Sequence, residues 1–104
     1  MAQATGIIEV FGLAAAFVAL DAGCKAANVT VETFDKNKPG NADALPVPLI
    51  VCIKFRGGVS DVTSAVDAAA LAAEKVSGVV SRHVIANVEE STEKMLKLNA
   101  FDKN

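Results

Sequence analysis

Gly6-Ile7-Ile8-Glu9-Val10-Phe11-Gly12-Leu13-Ala14-Ala15-Ala16-Phe17-Val18-Ala19-Leu20 changes its rhythm at Gly12. Before that glycine, Ile7, Ile8, Val10 and Phe11 form a β-branched and aromatic run, the signature of a short strand. After it, Leu13, Phe17, Leu20 and Cys24 recur at helical spacing and share one face, so the spacing predicts a helix over Leu13 to Ala27. Asp21 and Lys25 stand four apart on its flank as a possible ion pair. Asn28 stops the helix, since asparagine tolerates the left-handed position after a helix end.

Beyond this switch the same alternation returns. Val29, Val31 and Thr33 alternate with Thr30, Glu32 and Phe34 as a second strand. Asp35 to Pro48 carries Pro39-Gly40, Asn37, Asn41, Pro46 and Pro48, punctuation that predicts a loop. Leu49 to Phe55 is a third strand, ended by Arg56-Gly57-Gly58. Ser60 is a candidate N-cap for a helix over Asp61 to Ser77, with Asp61 favourable in its first turn. Val62, Val66, Ala69, Ala70, Ala73 and Val76 form its apolar stripe, and Gly78 suits its C-terminal cap. Val79 to Ala86 is a fourth strand. Asn87 caps a last short helix over Val88 to Leu98, with Glu90 as reciprocal partner and Met95 and Leu98 facing inward. The tail 99–104 is expected to fray.

The order β-α-β-β-α-β with a short C-terminal helix is that of a ferredoxin-like split unit. It belongs to the α/β (α+β) class, with a four-stranded antiparallel sheet and two helices on one face. The chain has 104 residues, the size of one domain. A 52% hydrophobic fraction and a mean hydropathy of +0.38 are high for so small a soluble chain. Two readings fit the excess: an alanine-rich α/β domain, or apolar surface reserved for neighbouring subunits, which the composition favours.

Several function classes find no support. Net charge is −2 with pI near 5.3, and no basic stripe suggests nucleic acid. The first residues lack a basic and apolar leader. Val10 to Leu20 is about half the length of a bilayer span, so no membrane partner is expected. A cytoplasmic location follows. Cys24 and Cys52 are far apart in sequence, and His83 is the sole histidine, so no metal site is expected. The two cysteines read as structural thiols. His83, in a strand, reads as half-buried and hydrogen-bonded. No nucleotide-phosphate motif occurs, and Glu9, Glu32, Glu89, Glu90 and Glu93 offer no acid–base pair. No catalytic residues and no cofactor are therefore assigned.

Four segments in order resemble the bacterial microcompartment (BMC) family, specifically its single-domain hexameric shell proteins. They are Gly6 to Val10 with Gly12-Leu13; Ala19-Leu20-Asp21-Ala22 leading to Lys25-Ala26-Ala27-Asn28-Val29; Val51 to Gly57 with the alanine-rich helix after it; and Ser81-Arg82-His83-Val84-Ile85. The resemblance implies one BMC domain over 1–104, with its core at about 5–98. It implies a structural, non-enzymatic subunit whose cyclic hexamers tile into shell facets around encapsulated enzymes. Its partners would be itself, other shell proteins and those enzymes. It places Lys25 at the hexamer edge, flanked by Asn28 and Asn87. It also places Lys36, Asn37, Lys38, Pro39, Gly40, Asn41 and Asp43 on a pore loop passing small polar metabolites. Two departures stand out. Ala86-Asn87-Val88 lacks the arginine usual at the family's edge, and Asn has no equivalent of its planar fork of donors. The loop from Lys36 to Leu49 is longer than in typical members by roughly nine residues. It carries no cysteine, so an iron–sulfur cluster has no ligands there. An alternative reading is a small-molecule-binding regulatory protein of ferredoxin-like fold.

Overall fold

β1 (Ala4–Phe11) is the second strand from one edge of the sheet and pairs on both sides. The computed structural model describes residues 3–37, 40–45 and 47–98. After β1 come α1 (Leu13–Ala26), β2 (Thr30–Asn37), a single 3₁₀ turn (Ala42–Ala44), β3 (Ile50–Gly57), α2 (Val59–Glu74), β4 (Val79–Ile85) and α3 (Glu90–Leu96). The sheet order is β2-β3-β1-β4, with every neighbouring pair antiparallel. This is the expected split β-α-β-β-α-β arrangement.

Register fixes which residues meet the helices. Ile8 lies opposite Ile53 and Val10 opposite Val51. These four and Phe55 are wholly buried, together with Ala15, Ala16 and Ala19 of α1 and Val62, Ala65, Ala69 and Ala73 of α2. Strand side chains alternate faces, so the core lies between these positions and the helices. The intervening residues of β1, β3 and β4 form the outer sheet face.

α1 departs from its expected orientation. Its buried positions are Ala15, Ala16, Ala19 and Gly23. Leu13, Phe17 and Cys24 are exposed, and Leu20 is half-buried. The reason is space. A Cβ on Gly23 would lie 2.5 Å from Cζ of Phe55 and 3.1 Å from the backbone oxygen of Ala65. Phe55 fills the volume beneath α1, and the helix approaches closely only through small residues.

Element ends also shift. α1 ends on Ala27 in extended conformation, and no described non-glycine residue has positive φ, so Asn28 is not a left-handed cap. Its N–H instead donates to Asp61 Oδ1 at 3.3 Å. α2 begins at Val59 after Gly58, without a side-chain cap, so Ser60 lies inside it and Asp61 is free to reach Asn28. Its stripe is buried as expected through Ala73. Val76 lies past the helix end and is exposed. Lys75, not Gly78, is the C-cap of α2; Gly78 takes φ +135 three residues on, and its N–H bonds the Ala73 carbonyl at 3.0 Å. β3 extends through Gly57 because Arg56 still pairs with Thr5 and Thr30. α3 starts later than expected, at Glu90. Glu89, not Asn87, caps it by accepting from the N–H groups of Ser91 (2.8 Å) and Thr92 (3.2 Å). Leu96 is its buried residue, while Met95 and Leu98 are exposed.

Candidate functional site

The ladder registers put the two groups of candidate residues at opposite ends of the sheet. Thr30, Arg56, Thr5 and Ile85 form one row across all four strands. Asn37, Ile50 and Phe11 align at the other end. Asn28 precedes the first row and Asn87 follows it, and Lys25 sits in the last turn of α1 leading into it. All three are exposed. Lys25 donates to Asp21 at 2.8 Å, and that hydrogen bond, with the carboxylate's charge second, raises the ammonium pKa above its ordinary value.

The loop opens from the far end. Lys36 and Asn37 are not in it, contrary to expectation. They prolong β2, paired with Val51 and Ile50, and both are exposed. A bulge between Val31 and Phe34 sets one extra residue of β2 against β3. Lys38 and Pro39 lie outside the described residues, as does the tail 99–104. Gly40 and Asn41 form a turn, and the Asn41 carbonyl accepts from the Ala44 N–H at 2.9 Å. Asp43 is exposed. The loop's far end is fixed where Gly12 N–H donates to the Leu49 carbonyl at 2.8 Å.

Two apolar flanks escaped the sequence reading. On α1, Leu13, Phe17 (57% exposed) and Val18 face outward, and the Phe17 ring meets that of Phe34 at 5.3 Å. On the other side α2 packs over β1 and β4. There Leu71 (69% exposed), Val76 and Val80 are exposed. A groove of about 500 Å³ is lined by Asp67, Ala70, Leu71, Glu74, Val79 and Arg82, with Arg82 paired to Asp67 at 3.1 Å. The available signal was the high hydrophobic fraction combined with two adjacent apolar arcs on α1, only one of which fits beneath it.

The outer sheet face is polar. Asp35, Cys52, Glu9 and Ser81 align across it, and Ser81 donates to Glu9 at 2.6 Å. His83, opposite Ile7, is exposed, not packed as expected, because this strand edge has no layer over it. Cys24 is also exposed, which corrects its reading as a buried thiol. Its pKa is raised, by desolvation first and then by Asp21. Burial pushes the Cys52 thiol up to about 11; Lys54 opposes the shift, and Glu9 and Asp35 add to it. A thiol so protonated makes Cys52 a poor nucleophile at neutral pH. Among the described residues no three His, Cys, Asp or Glu side chains are grouped to hold a metal, and no helix is long and apolar enough to cross a membrane.

α3 covers one end of this face. Arg56, 6% exposed, bonds Glu93 at 2.6 Å. Its Nη1 is buried and meets no acceptor among the described residues. Lys54, also 6% exposed, donates to the carbonyls of Leu96 (3.1 Å) and Leu98 (2.9 Å).

The sequence profile of the BMC domain matches residues 4–88, which span all four strands and both packed helices. The chain belongs to the BMC domain family. Among its relatives in that family is bacterial microcompartment shell protein PduA of Citrobacter freundii, 37% identical over 94 residues, covering 90% of this chain and 91% of that one. Carboxysome shell protein CcmK2 of Synechococcus elongatus is 36% identical over 100 residues, covering 94% and 89%. A solved microcompartment protein from Desulfitobacterium hafniense DCB superposes with a TM-score of 0.70 at 24% identity, over 93% of this chain. This chain spans 48% of that one, and the likeness is one of fold.

Proposed function

We propose that this chain is a structural, non-catalytic subunit of a bacterial microcompartment shell, acting as one BMC domain in cyclic hexamers that tile into facets. Its family membership carries the reading: the profile covers the folded core, and relatives named as shell proteins match at nearly full length. The surface supports it. Apolar flanks lie on opposite sides of the protomer, α1 with β2 on one and α2 with β4 on the other. Two different faces that complement each other make a head-to-tail contact, which closes into a ring when the rotation permits. The location is then the cytoplasmic compartment shell, and the partners are further copies, other shell proteins and enclosed enzymes.

Within the hexamer, Lys25, Asn28 and Asn87 lie at the outer edge, and the segment from Lys36 to Leu49 surrounds the six-fold axis. Their placement at opposite ends of the sheet supports this division. At the axis six copies of Lys36 and Lys38 favour anionic metabolites, an effect Asp43 partly offsets. At the edge Asn87 stands where relatives have an arginine fork, so the seam is weaker and favours mixed tiling with other shell subunits.

Electron microscopy of the purified protein tests the assembly. Hexamers, alone or in sheets, are expected, and a discrete trimer that binds a nucleotide would overturn the reading. Lys25→Asp is expected to leave hexamers and abolish sheets formed alone or with a second shell protein. Sheets unchanged by it would refute the edge assignment.

A further inference from the structure

α3 has seven residues, too few to hold helical structure in water by itself. Its apolar anchorage is small. Leu96 is buried, Val88 is buried just before the helix, and Met95 and Leu98 face outward. The rest of its hold is polar. The chain leaves β4 at the sheet edge, crosses β1, and is gripped by side chains of β3 and β2. Lys54 donates to the Leu96 and Leu98 carbonyls. The Thr33 hydroxyl lies at 3.0 and 3.1 Å from the same two oxygens. Arg56 holds Glu93.

This arrangement has two competing states. In the closed one, the ammonium of Lys54 is removed from water and, among the described residues, held by carbonyls at a helix C-terminus, where cations are favoured. Arg56 is likewise withdrawn from water, with Glu93 as its charged partner. Lifting α3 returns both cations to water and exposes one fully packed apolar side chain of the helix, Leu96. The core between sheet and helices lies on the other face and is untouched.

We propose that α3 is a hinged strap on the outer sheet face, latched by Lys54 with Arg56 and Thr33, which opens as a unit at Glu89 while the four strands, α1 and α2 stay folded. The strap is a property of the protomer and does not rest on the shell reading.

Amide hydrogen exchange on the full-length protein in its native assembly tests this. In the wild type, amides at 92–98 are expected to exchange much faster than those of α2 at 62–73. In Lys54→Met, exchange at 92–98 is expected to rise at least tenfold, equal to about 1.4 kcal/mol, with 62–73 unchanged. Lys54→Arg is expected to restore most of the protection. Equal protection of α3 and α2 in the wild type would overturn the strap. So would a Lys54→Met variant that leaves 92–98 unchanged or shifts both helices together. If Lys54→Met does not fold, Glu93→Gln provides the same comparison, with the same split between helices expected and its absence equally decisive.

Discussion

α1 and α2 lie side by side on one sheet and both bury mainly alanine, yet only α2 adds branched residues to the core. α2 turns its branched residues Val62 and Val66 into the core. α1 turns in only Ala15, Ala16, Ala19 and Gly23, and presents Leu13, Phe17 and Val18 to the outside. The difference lies in what stands beneath each helix. Phe55 occupies the volume under α1, whereas the sheet under α2 leaves room for valines. Which arc of an amphipathic helix is buried depends on the volume available as well as on hydrophobicity. The bulky arc left over on α1 is surface made for another subunit.

The strongest way to break this contrast is to empty the space under α1. Phe55→Ala is expected to destabilise the protomer by about 3–5 kcal/mol, read by urea unfolding at fixed protein concentration. A loss below about 1 kcal/mol would mean that α1 settles into the vacated volume with its bulky arc inward. Next in size is Gly23→Leu, expected to cost about 1–3 kcal/mol by forcing α1 away from Phe55 and Ala65. A neutral result would show that the close approach is not needed. Leu71→Ser should change protomer unfolding by no more than about 0.5 kcal/mol, and Phe17→Ser by about 0.5–1.5 kcal/mol through loss of its ring contact with Phe34. Both should shift the size-exclusion profile toward smaller species. A large stability loss for Phe17→Ser without any change in assembly would reverse the assignment of the two arcs.

A last test, silent at neutral pH, extends the comparison to the opposite sheet face. The Cys52 thiol holds its proton to about pH 11 in the folded chain, against 9.0 for an ordinary cysteine. Below pH 9 both states are protonated and Cys52 contributes no pH dependence. Between 9 and 11 the unfolded chain releases the proton first, so stability falls as pH rises. Cys52→Ala should flatten that part of a stability–pH curve. An unchanged slope would show that the thiol's surroundings do not disfavour its charge.

The succession of strands and helices and the α2 stripe through Ala73 were legible because each rests on local chemistry: alternation and helical spacing. The face of α1 was not, because the limiting volume belongs to Phe55, distant in sequence. Lys36 and Asn37 were read as loop because prolines and glycine follow them, while their pairing to Val51 and Ile50 is a long-range fact. The α3 cap was placed on Asn87 by residue type; the structure uses Glu89, whose carboxylate reaches two amides. His83 was assigned a buried setting from its strand, although one face of this sheet is largely bare. The division of Lys25, Asn28 and Asn87 from the loop residues is visible only once the strand registers are known.

The bond between Gly12 and Leu49 has a consequence for how such a protein diversifies. Between the β2–β3 ladder and this bond, the intervening segment has both ends fixed to the scaffold. Doubling the length of a flexible loop costs only about 0.6 kcal/mol in closure entropy. Segments of differing length and chemistry can therefore be exchanged at this position as cassettes, by natural variation or by a designer, while the sheet that receives them keeps its register.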